Sequence, residues 1–286
     1  MKSTANTKTL LKNKTVLVTG GAGSIGSALV RRLLDFPIKA VRVLDIDEHG
    51  LFKLNRSIDD KRFRPLLGSV MDRERVDMAM QNVDIVFHLA AVKNIEITEF
   101  NPIETIDVII NGTVNVIKST ITHKPGFFIN ISTDKAADAS TLYGSTKQLA
   151  EKLTSWAGFH VESTNFGTVR LGNVLETRGN VFEIWNDENN EGKPLSITDP
   201  LMTRYYFSVN EAVDFILLSM SKIKLGEICI PKMKKYNMID LASKISKKHK
   251  IIGIRRGEKL DEILLTEDEK AHSQELSNMW IIKTNS

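Results

Sequence analysis

The chain has 286 residues, of which 42% are hydrophobic and 26% are charged, a composition typical of a globular protein with a buried core. Its single cysteine, Cys229, excludes an internal disulfide and a disulfide-stapled scaffold. Lysine and arginine outnumber aspartate and glutamate by 39 to 35, giving a formal charge of +4. This excess and an isoelectric point of about 9.0 leave a nucleic-acid binder as one candidate class.

The sequence contains no segment typical of membrane insertion or export. Residues 1–13 are polar and lack the apolar stretch of a signal peptide. No apolar run approaches the roughly 20 residues that span a bilayer. With one unpaired cysteine, these features predict a cytoplasmic protein that has no membrane partner.

From Thr15 to about Arg170, short runs of branched apolar residues alternate with amphipathic stretches of helical period. This alternation predicts an α/β fold with a Rossmann-type doubly wound parallel sheet. The predicted strands are Thr15 to Thr19, Ala40 to Asp45, Phe63 to Leu67, Asp84 to Leu89, Phe127 to Ser132 and His160 to Arg170. The predicted helices are Ile25 to Leu34, Arg73 to Met80, Ile103 to Thr120 and Thr141 to Trp156.

After Leu171 the alternation gives way to shorter, mixed elements. The pattern predicts helices from Asn210 to Met220 and from Met238 to Lys247, a strand from Glu227 to Ile230, and a polar surface loop from Asn186 to Pro194. We therefore predict two domains. Residues 1–172 form a dinucleotide-binding domain that carries the catalytic residues, and residues 173–286 form a small mixed C-terminal substrate lobe whose elements interleave with the first domain.

A glycine-rich turn follows the first predicted strand. Glycines at three-residue intervals permit a tight turn, let backbone N–H groups approach a pyrophosphate, and allow the next helix to pack on the strand. The strand before and the helix after support a dinucleotide site. The residues assigned to it here are Gly20, Gly23, Ser24, Ile25 and Gly26.

Asp45 ends the second predicted strand, about 20 residues after the glycines. A carboxylate at this place accepts hydrogen bonds from the adenosine ribose and repels a 2′-phosphate, which favours NAD over NADP. Arg42 and Arg56 lie nearby and leave NADP possible. Asp47 and Glu48 are explained equally well as capping residues of the next helix.

Tyr143 and Lys147 are four residues apart on a predicted helix and so share a face. Tyrosine titrates at about 10, so it acts as a base only where its phenolate is stabilised. We expect the Lys147 ammonium to hold the pKa of Tyr143 low. The preceding strand ends in Ser132-Thr133-Asp134-Lys135, which adds further polar side chains.

The glycine turn, His88-Leu89-Ala90-Ala91, Thr133 and the Tyr143/Lys147 pair resemble the extended short-chain dehydrogenases/reductases. More narrowly, the chain resembles the soluble UDP-N-acetylglucosamine 4,6-dehydratases that invert C5 and serve polysaccharide and flagellin glycan biosynthesis. The segments that carry this narrower resemblance are Lys93 to Glu96, Asn101-Pro102, Ser132 to Ala136, Val169 to Val174, Arg178-Gly179, Met202 to Arg204 and Gly253 to Leu260.

The resemblance implies a lyase reaction and a role for each catalytic residue. Tyr143, supported by Lys147, takes the proton of the sugar 4-hydroxyl, and Thr133 hydrogen-bonds the same oxygen. Lys135 removes the C5 proton, Asp134 protonates the departing 6-hydroxyl, and hydride returns to C6. Relatives that act on dTDP-glucose carry glutamate where Lys135 stands, which favours UDP-N-acetylglucosamine as the substrate.

The resemblance also implies binding residues, without a metal. For NAD these are the glycine turn, Asp45, Ser69, Val70, Leu89, Ala90, Ala91, Lys93, Tyr143 and Lys147. For the UDP-sugar they are Lys93, Asn173, Arg204, Arg255 and Glu258. A surface role is the alternative for Arg204 and Arg255. Relatives form dimers to hexamers, commonly through the predicted helices Ile103 to Thr120 and Thr141 to Trp156, so we expect a homo-oligomer.

Two departures from the family pattern stand out. Ser69 occupies the place of the usual adenine-contacting aspartate, and Arg256 replaces a proline. Three other functions stay open. A UDP-sugar 4-epimerase or 4-keto reductase would not need Asp134 and Lys135, a non-catalytic NAD-binding regulatory protein commonly lacks the tyrosine, and a nucleic-acid binder would rest only on the run Lys244 to Lys250, which has no interleaved aromatic residues.

Overall fold

The computed structural model describes residues 5–255 and 257–283. Arg256, one of the two departures, lies outside the described residues. The strands are β1 Thr15–Thr19, β2 Ala40–Asp45, β3 Phe63–Leu67, β4 Ile85–His88, β5 Phe127–Thr133, β6 Asn165–Leu171, β7 Asn173–Val174, β8 Leu195–Ile197, β9 Thr203–Phe207, β10 Ile228–Pro231, β11 Lys234–Asn237, β12 His249–Ile251, β13 Ser273–Glu275 and β14 Met279–Ile282.

The helices lie between these strands and, in the second half of the chain, among the short ones. They are α1 Ala5–Leu11, α2 Ser24–Leu34, α3 Glu48–Ser57, α4 Arg73–Met80, α5 Ile95–Phe100, α6 Pro102–Ile106, α7 Gly112–His123, α8 Leu142–His160, α9 Val181–Asn190, α10 Val209–Met220, α11 Met238–Ala242 and α12 Glu267–Ala271. A π-helical turn, Asp107–Asn111, joins α6 to α7, and a 3₁₀ turn, Asp134–Ala136, follows β5.

Within the described residues, the main sheet has nine strands in the order β13, β14, β10, β6, β5, β4, β1, β2 and β3. The strands from β3 to β10 run parallel, and β14 and β13 add antiparallel neighbours at one edge. The order 3-2-1-4-5-6 is that of the doubly wound dinucleotide fold, whose ligands bind where the strand order reverses, here between β1 and β4. The predicted fold class is confirmed.

Alternate residues of the central strands bury into opposite layers, as the two-residue period of a strand requires. Val16 and Val18 of β1 pack into the layer that contains α2 and α10, whereas Leu17 packs into the layer that contains α4 and α7. Both faces of the sheet are therefore covered by helices, which leaves the ends of the strands as the exposed edge where side chains can meet a ligand.

The second half of the chain builds a smaller layer beside the carboxyl ends of the main strands. It contains a three-stranded sheet, β11-β9-β7, and a two-stranded sheet, β12-β8. Its core includes the buried Trp185, Ile197 and Met238. Strands β10, β13 and β14 return to the main sheet, so elements from beyond residue 172 complete it.

Several predicted boundaries differ from the structure. The predicted helix Ile103 to Thr120 is divided into α6, the π-helical turn and α7. The predicted polar loop Asn186 to Pro194 was wrong, because α9 continues through Asn190, anchored by the buried Trp185. Among the described residues, no helix combines the length and the apolar character that crossing a membrane requires.

Candidate functional site

A cavity of about 540 Å³ opens at the carboxyl ends of β1, β2, β4 and β5. We call it the turn cavity. Every residue assigned to the cofactor from the sequence contributes to its lining, as do Thr133 and Lys135. The cofactor residues in the lining are Gly20, Gly23, Ser24, Ile25, Gly26, Asp45, Ser69, Val70, Leu89, Ala90, Ala91, Lys93, Tyr143 and Lys147.

The glycine turn is shaped by close backbone contacts. Gly20 has φ +69°, and a Cβ atom there would lie 2.7 Å from the Ala90 nitrogen. A Cβ atom on Gly26 would lie 2.4 Å from the Gly20 carbonyl oxygen. Gly23 precedes the eleven-residue helix α2, and no side chain caps that helix. The first N–H groups of α2 therefore remain available to an anion, as a pyrophosphate requires.

Asp45, at the end of β2, forms hydrogen bonds that stabilise the glycine turn. Its carboxylate accepts hydrogen bonds from the Ala22 N–H at 2.8 Å and from the Asp47 N–H at 3.0 Å. Asp47 in turn caps α3 by accepting from the Gly50 N–H. The capping role considered for Asp47 is thus present, while Asp45 faces the cavity as the sequence predicted.

Sequence reasoning assigned no role to the Arg178 side chain, yet its loop crosses over the glycine turn. The Arg178 N–H donates to Ser24 Oγ at 3.0 Å, and its guanidinium donates to the Ala22 carbonyl. The Lys93 ammonium donates to the Arg178 carbonyl oxygen at 2.5 Å, and burial lowers the pKa of Lys93. These contacts close one side of the turn cavity.

A buried histidine, to which the sequence analysis assigned no role, forms hydrogen bonds beneath the cavity. His88 Nδ1 hydrogen-bonds Thr19 Oγ1 at 2.7 Å, and Nε2 hydrogen-bonds Thr113 Oγ1 at 3.0 Å. Burial, with the charge of Lys147 as a second cause, lowers the pKa of His88 to about 3. The ring is therefore neutral and joins the ends of β1 and β4 to α7.

Asp134 is the most enclosed of the predicted catalytic residues. Its Oδ1 accepts from Thr133 Oγ1 at 2.9 Å and from Lys135 Nζ at 3.0 Å. Its Oδ2 is buried and has no hydrogen-bond partner among the described residues. Burial of an unsatisfied carboxylate oxygen is costly. Asp134 itself contributes to neither cavity lining described here, and its neighbours Thr133 and Lys135 are the residues of this stretch that face the turn cavity.

Tyr143 and Lys147 line the same cavity, but the pKa of Tyr143 departs from the prediction made from the sequence. Lys147 Nζ donates to the Ile131 carbonyl oxygen at 2.5 Å, and burial lowers its pKa to about 8, opposed by Glu151. Desolvation and the Asp134 carboxylate raise the pKa of Tyr143, and Thr133 opposes them. The expectation that Lys147 holds the Tyr143 pKa low was wrong for the protein by itself.

A second cavity, of about 330 Å³, lies between the turn cavity and the smaller sheets, and we call it the lobe cavity. Of the predicted substrate residues, Lys93, Asn173, Arg204 and Glu258 line it. Asn173 presents a buried Nδ2 that has no partner among the described residues. The residues common to both linings are Lys93, Lys135, Asn173, Val174, Thr177 and Arg178, so the two cavities adjoin.

The two arginines predicted to bind the substrate, Arg204 and Arg255, differ in burial and in position relative to the cavities. Arg204 is buried, and its guanidinium donates to the carbonyls of Leu260 at 3.0 Å and Lys259 at 2.9 Å. Its hydrogen bonds therefore fix the chain beside the cavity. Arg255 lies outside both linings, is half-exposed, and pairs with Glu96 at 2.9 Å.

Comparison with known proteins gives the family. The model of the family described as "Polysaccharide biosynthesis protein" matches residues 16–284. The chain belongs to this family. It is 37% identical to a UDP-N-acetylglucosamine 4,6-dehydratase (inverting) of Campylobacter jejuni, over 96% of this chain and 84% of that protein. It is 40% identical to an uncharacterized membrane protein of Methanocaldococcus jannaschii, over 95% of this chain and 86% of that protein.

A third relative carries a different activity in its name. A UDP-glucose 4-epimerase of Rickettsia bellii is 34% identical, over 94% of this chain and 83% of that protein. Relatives of this chain therefore bear the names of both dehydratases and epimerases. The resemblance predicted from the sequence is confirmed, and the choice of activity depends on the site.

The solved structures agree on the fold. The chain superimposes on Pen from Bacillus thuringiensis with a TM-score of 0.91 at 35% identity, covering 96% of this chain and 90% of that one. DesIV from Streptomyces venezuelae, a dTDP-glucose 4,6-dehydratase with NAD and TYD bound, gives a TM-score of 0.81 at 20% identity, covering 90% of each chain. These likenesses confirm the extended short-chain dehydrogenase/reductase fold.

Proposed function

We propose that this protein is a UDP-N-acetylglucosamine 4,6-dehydratase, a hydro-lyase that inverts C5. The observation that carries the proposal is the place of Lys135, which contributes to the lining of both cavities and whose Nζ lies 3.0 Å from Asp134 Oδ1. The proposed base thus stands where the cofactor space meets the substrate space, and the proposed acid lies directly beside it, outside both linings. The Campylobacter relative bears the name of this activity.

We propose NAD as the cofactor, held in the turn cavity. The uncapped start of α2 and the glycine turn suit the pyrophosphate, and the Asp45 carboxylate suits ribose hydroxyls and disfavours a 2′-phosphate. DesIV, which shares the fold, contains NAD. Ser69 contributes to the cavity lining, and its Oγ accepts from the Met71 N–H at 3.1 Å. The proposal assigns this serine the role of the family's adenine-contacting aspartate.

We assign the steps to side chains of the two linings and to Asp134, which lies beside Lys135 and outside both linings. Tyr143 takes the proton of the sugar 4-hydroxyl, Thr133 holds that oxygen, and Lys147, bonded to the Ile131 carbonyl, supplies positive charge beneath the cavity. NAD bound in the turn cavity would supply the acceptor for the C4 hydride and the donor of hydride to C6. Lys135 removes the C5 proton, which the neighbouring ketone makes acidic, and Asp134 protonates the departing 6-hydroxyl, which leaves as water. As C6 gains the hydride, C5 takes up a solvent-derived proton on the face opposite to the one that lost its proton, which inverts this carbon. The two protons gained by Tyr143 and Lys135 balance the two delivered to the 6-hydroxyl and to C5.

The substrate side of the proposal assigns the UDP-sugar to the lobe cavity. Asn173 Nδ2, buried and without a partner among the described residues, suits a diphosphate oxygen. Lys93 and Glu258 lie in the same lining, and Arg204 shapes it by fixing the Lys259 and Leu260 carbonyls. Arg255 reaches the substrate only if its ion pair with Glu96 opens. In this proposal the predicted domain 173–286 supplies most of the substrate contacts, and Lys93 and Lys135 of residues 1–172 complete the lining of the lobe cavity.

A UDP-sugar 4-epimerase is the second candidate, favoured by the name of the Rickettsia relative. An epimerase needs Tyr143 and Lys147 for hydride transfer at C4 but needs no dedicated base at C5. The pairing of Lys135 with Asp134 inside the site therefore favours dehydration.

Incubation with NAD and UDP-N-acetylglucosamine in deuterated water, followed by NMR, tests the choice. A UDP-4-keto-6-deoxy sugar with deuterium and inverted configuration at C5 is the expected product, and Lys135→Ala should abolish it while cofactor binding persists. A UDP-N-acetylgalactosamine product would establish the epimerase. Unchanged dehydration by Lys135→Ala would remove the role of that residue, and no turnover at all would favour a non-catalytic NAD-binding regulatory protein.

We further propose a cytoplasmic homo-oligomer, since NAD and nucleotide sugars are cytoplasmic metabolites. Helices α5 and α6 pack against α8. Together they expose large apolar side chains, which a second copy of the chain would cover. These residues, here called the helical patch, are Ile97, Phe100, Ile103, Leu149, Trp156 and Phe159.

A further inference from the structure

Glu262 is a buried carboxyl group that the proposed reaction does not use. Only 6% of the residue is exposed, and it contributes to the lining of the lobe cavity. Its Oε1 lies 3.7 Å from Lys135 Nζ, which also lies 3.0 Å from Asp134 Oδ1. Lys135 therefore has two carboxylate neighbours, one beside it in the 3₁₀ turn and one from the distant segment 257–262.

The position of Glu262 is fixed by contacts that join segment 257–262 to the chain just after Lys135. Ser140 Oγ donates to the Gly257 carbonyl oxygen at 2.8 Å, and Lys259 Nζ donates to the carbonyl and the carboxylate of Asp138. Arg204 holds the same segment through the Leu260 carbonyl, as described above. These contacts fix residues 257–260 just before Glu262, and the Leu264 carbonyl after it accepts a hydrogen bond from Arg170 at 3.0 Å. The backbone on both sides of Glu262 therefore places its carboxyl group beside Lys135.

The groups that face Glu262 come from three parts of the fold. Desolvation and Asp134 raise the pKa of Glu262, whereas Lys135, Arg204 and Lys259 oppose that rise. All three cations have hydrogen-bond partners in the protein. Arg204 donates to the Lys259 and Leu260 carbonyls, Lys259 donates to Asp138, and Lys135 donates to Asp134. Of the three, Lys135 is the cation that lines both cavities.

We propose that Glu262 is a positioning residue for Lys135, holding its amine at the boundary of the two cavities. The inference rests on the proposed function. In that reaction Asp134 must carry a proton to give to the departing hydroxyl, so it cannot hold Lys135 by charge at that moment. Glu262 gives no proton to the sugar, and its carboxylate remains the electrostatic partner of Lys135 when the amine gains the C5 proton.

The test compares Glu262→Gln with Asp261→Asn. Asp261 is the adjacent residue, its side chain is 57% exposed, and it pairs with Lys235, so the control removes the same charge from the same segment away from Lys135. The first measurement is the rate at which acetic anhydride acylates Lys135 as a function of pH, followed by mass spectrometry of the peptide. This measurement needs no substrate.

Loss of the carboxylate beside an ammonium favours the neutral, reactive amine. The expected result is that Glu262→Gln moves the acylation profile of Lys135 by about one pH unit to lower pH, which is about tenfold faster labelling at fixed pH. Asp261→Asn should label like the wild type. Identical profiles for the wild type and Glu262→Gln would overturn the proposal.

The second measurement separates positioning from substrate binding. Glu262→Gln should lower kcat for dehydration at least about tenfold while KM for UDP-N-acetylglucosamine changes little and C4 oxidation, seen as reduced nicotinamide, persists. Glu262→Asp, which keeps the charge, should retain the wild-type acylation profile and serves as the charge-conserving control. If Glu262→Gln does not fold, Glu262→Ala replaces it as the test variant, with the same expected shift to lower pH. A raised KM with unchanged kcat would make Glu262 a substrate contact and overturn the proposal.

The two hypotheses fail separately. If the wild type does not dehydrate UDP-N-acetylglucosamine, the proposed function is wrong, and the acylation profiles alone decide whether Glu262 controls the Lys135 amine. If the wild type dehydrates the sugar and Glu262→Gln matches it in both measurements, the proposed function stands and the role of Glu262 is wrong.

Discussion

Arg170 and Glu151 form a two-pronged buried ion pair, with Nε donating to Oε1 at 3.0 Å and Nη2 donating to Oε2 at 2.7 Å. Glu269 completes the cluster by accepting two further hydrogen bonds from the same guanidinium, at 2.7 and 2.8 Å. Burial opposes the charge of Arg170, but the two carboxylates outweigh it and raise its pKa. Because Glu151 lies one helical turn after Lys147 on α8, the cluster joins β6 and α12 to the catalytic helix.

Arg170→Met should therefore destabilise the protein strongly. The substitution leaves Glu151 and Glu269 without their cation in a buried site, and breaking such a pair from one side costs about 3–5 kcal/mol. Urea denaturation followed by circular dichroism measures the change in the free energy of unfolding. Lys193→Met is the control, because Lys193 and Glu191 pair at the surface, and its denaturation midpoint should match that of the wild type. A midpoint for Arg170→Met equal to the wild type would contradict the structural importance of the cluster.

Gly26→Ala should weaken NAD binding without unfolding the protein. The added Cβ would meet the Gly20 carbonyl oxygen at 2.4 Å and the Gly21 Cα at 2.6 Å, so the turn must open. We expect a Kd for NAD at least about tenfold higher, which corresponds to about 1.4 kcal/mol, by isothermal titration calorimetry. In Gly126→Ala the new Cβ meets only the Asp84 oxygen at 3.6 Å, so NAD should bind as in the wild type. Equal affinities in the two variants would show that the turn does not hold the cofactor.

Tyr143→Phe and Lys135→Ala should stop the proposed reaction at different steps. Without the phenol, the 4-hydroxyl proton has no acceptor, so reduced nicotinamide should form about 10²- to 10⁴-fold more slowly. Lys135→Ala keeps that acceptor and should still reduce the cofactor, but it should not release water. Stopped-flow absorbance of the reduced nicotinamide distinguishes the two cases. Rapid C4 oxidation by Tyr143→Phe would remove the tyrosine from the mechanism.

The sequence predicted the parts of the site that are local in the chain. The glycine turn was predicted from a strand, a run of glycines and a helix that lie within about 20 residues of one another. Helix α4 spans Arg73–Met80, the bounds that the helical period of the sequence predicted. Asp45 was found from its distance to the glycines. Each of these depends on short-range backbone geometry.

The parts that the sequence did not predict depend on contacts between distant segments. Glu262 meets Lys135 across 127 positions, and Arg178 meets Ser24 across 154. No local period indicates such contacts. The polar stretch 186–190 continues α9 because Trp185, buried against the smaller sheets, anchors that helix, and the surrounding residues alone resemble a loop.

Phe100→Asp, in the helical patch, should reduce self-association. Phe100 is 86% exposed, and a carboxylate there opposes burial against a second copy. Sedimentation velocity should show a lower average mass than the wild type at equal concentration. Phe52→Asp is the control, because Phe52 is 60% exposed on α3 and lies outside the helical patch. Equal loss of association in both variants, or a monomeric wild type, would exclude the helical patch as the interface.

Lys147 should leave a signature in the pH dependence of stability. Burial lowers its pKa to about 8 in the folded protein, against an ordinary value of 10.5. Between these two values the unfolded chain binds the proton and the folded protein does not, so the free energy of unfolding rises with pH across this window. Lys147→Met lacks this contribution, and the stability of the wild type relative to the variant should therefore increase from pH 7.5 to pH 10. Lys152→Met, which removes an exposed lysine from the same helix, should give a difference that does not change with pH. Parallel curves for the wild type and Lys147→Met would show that the folded protein does not lower the proton affinity of this amine.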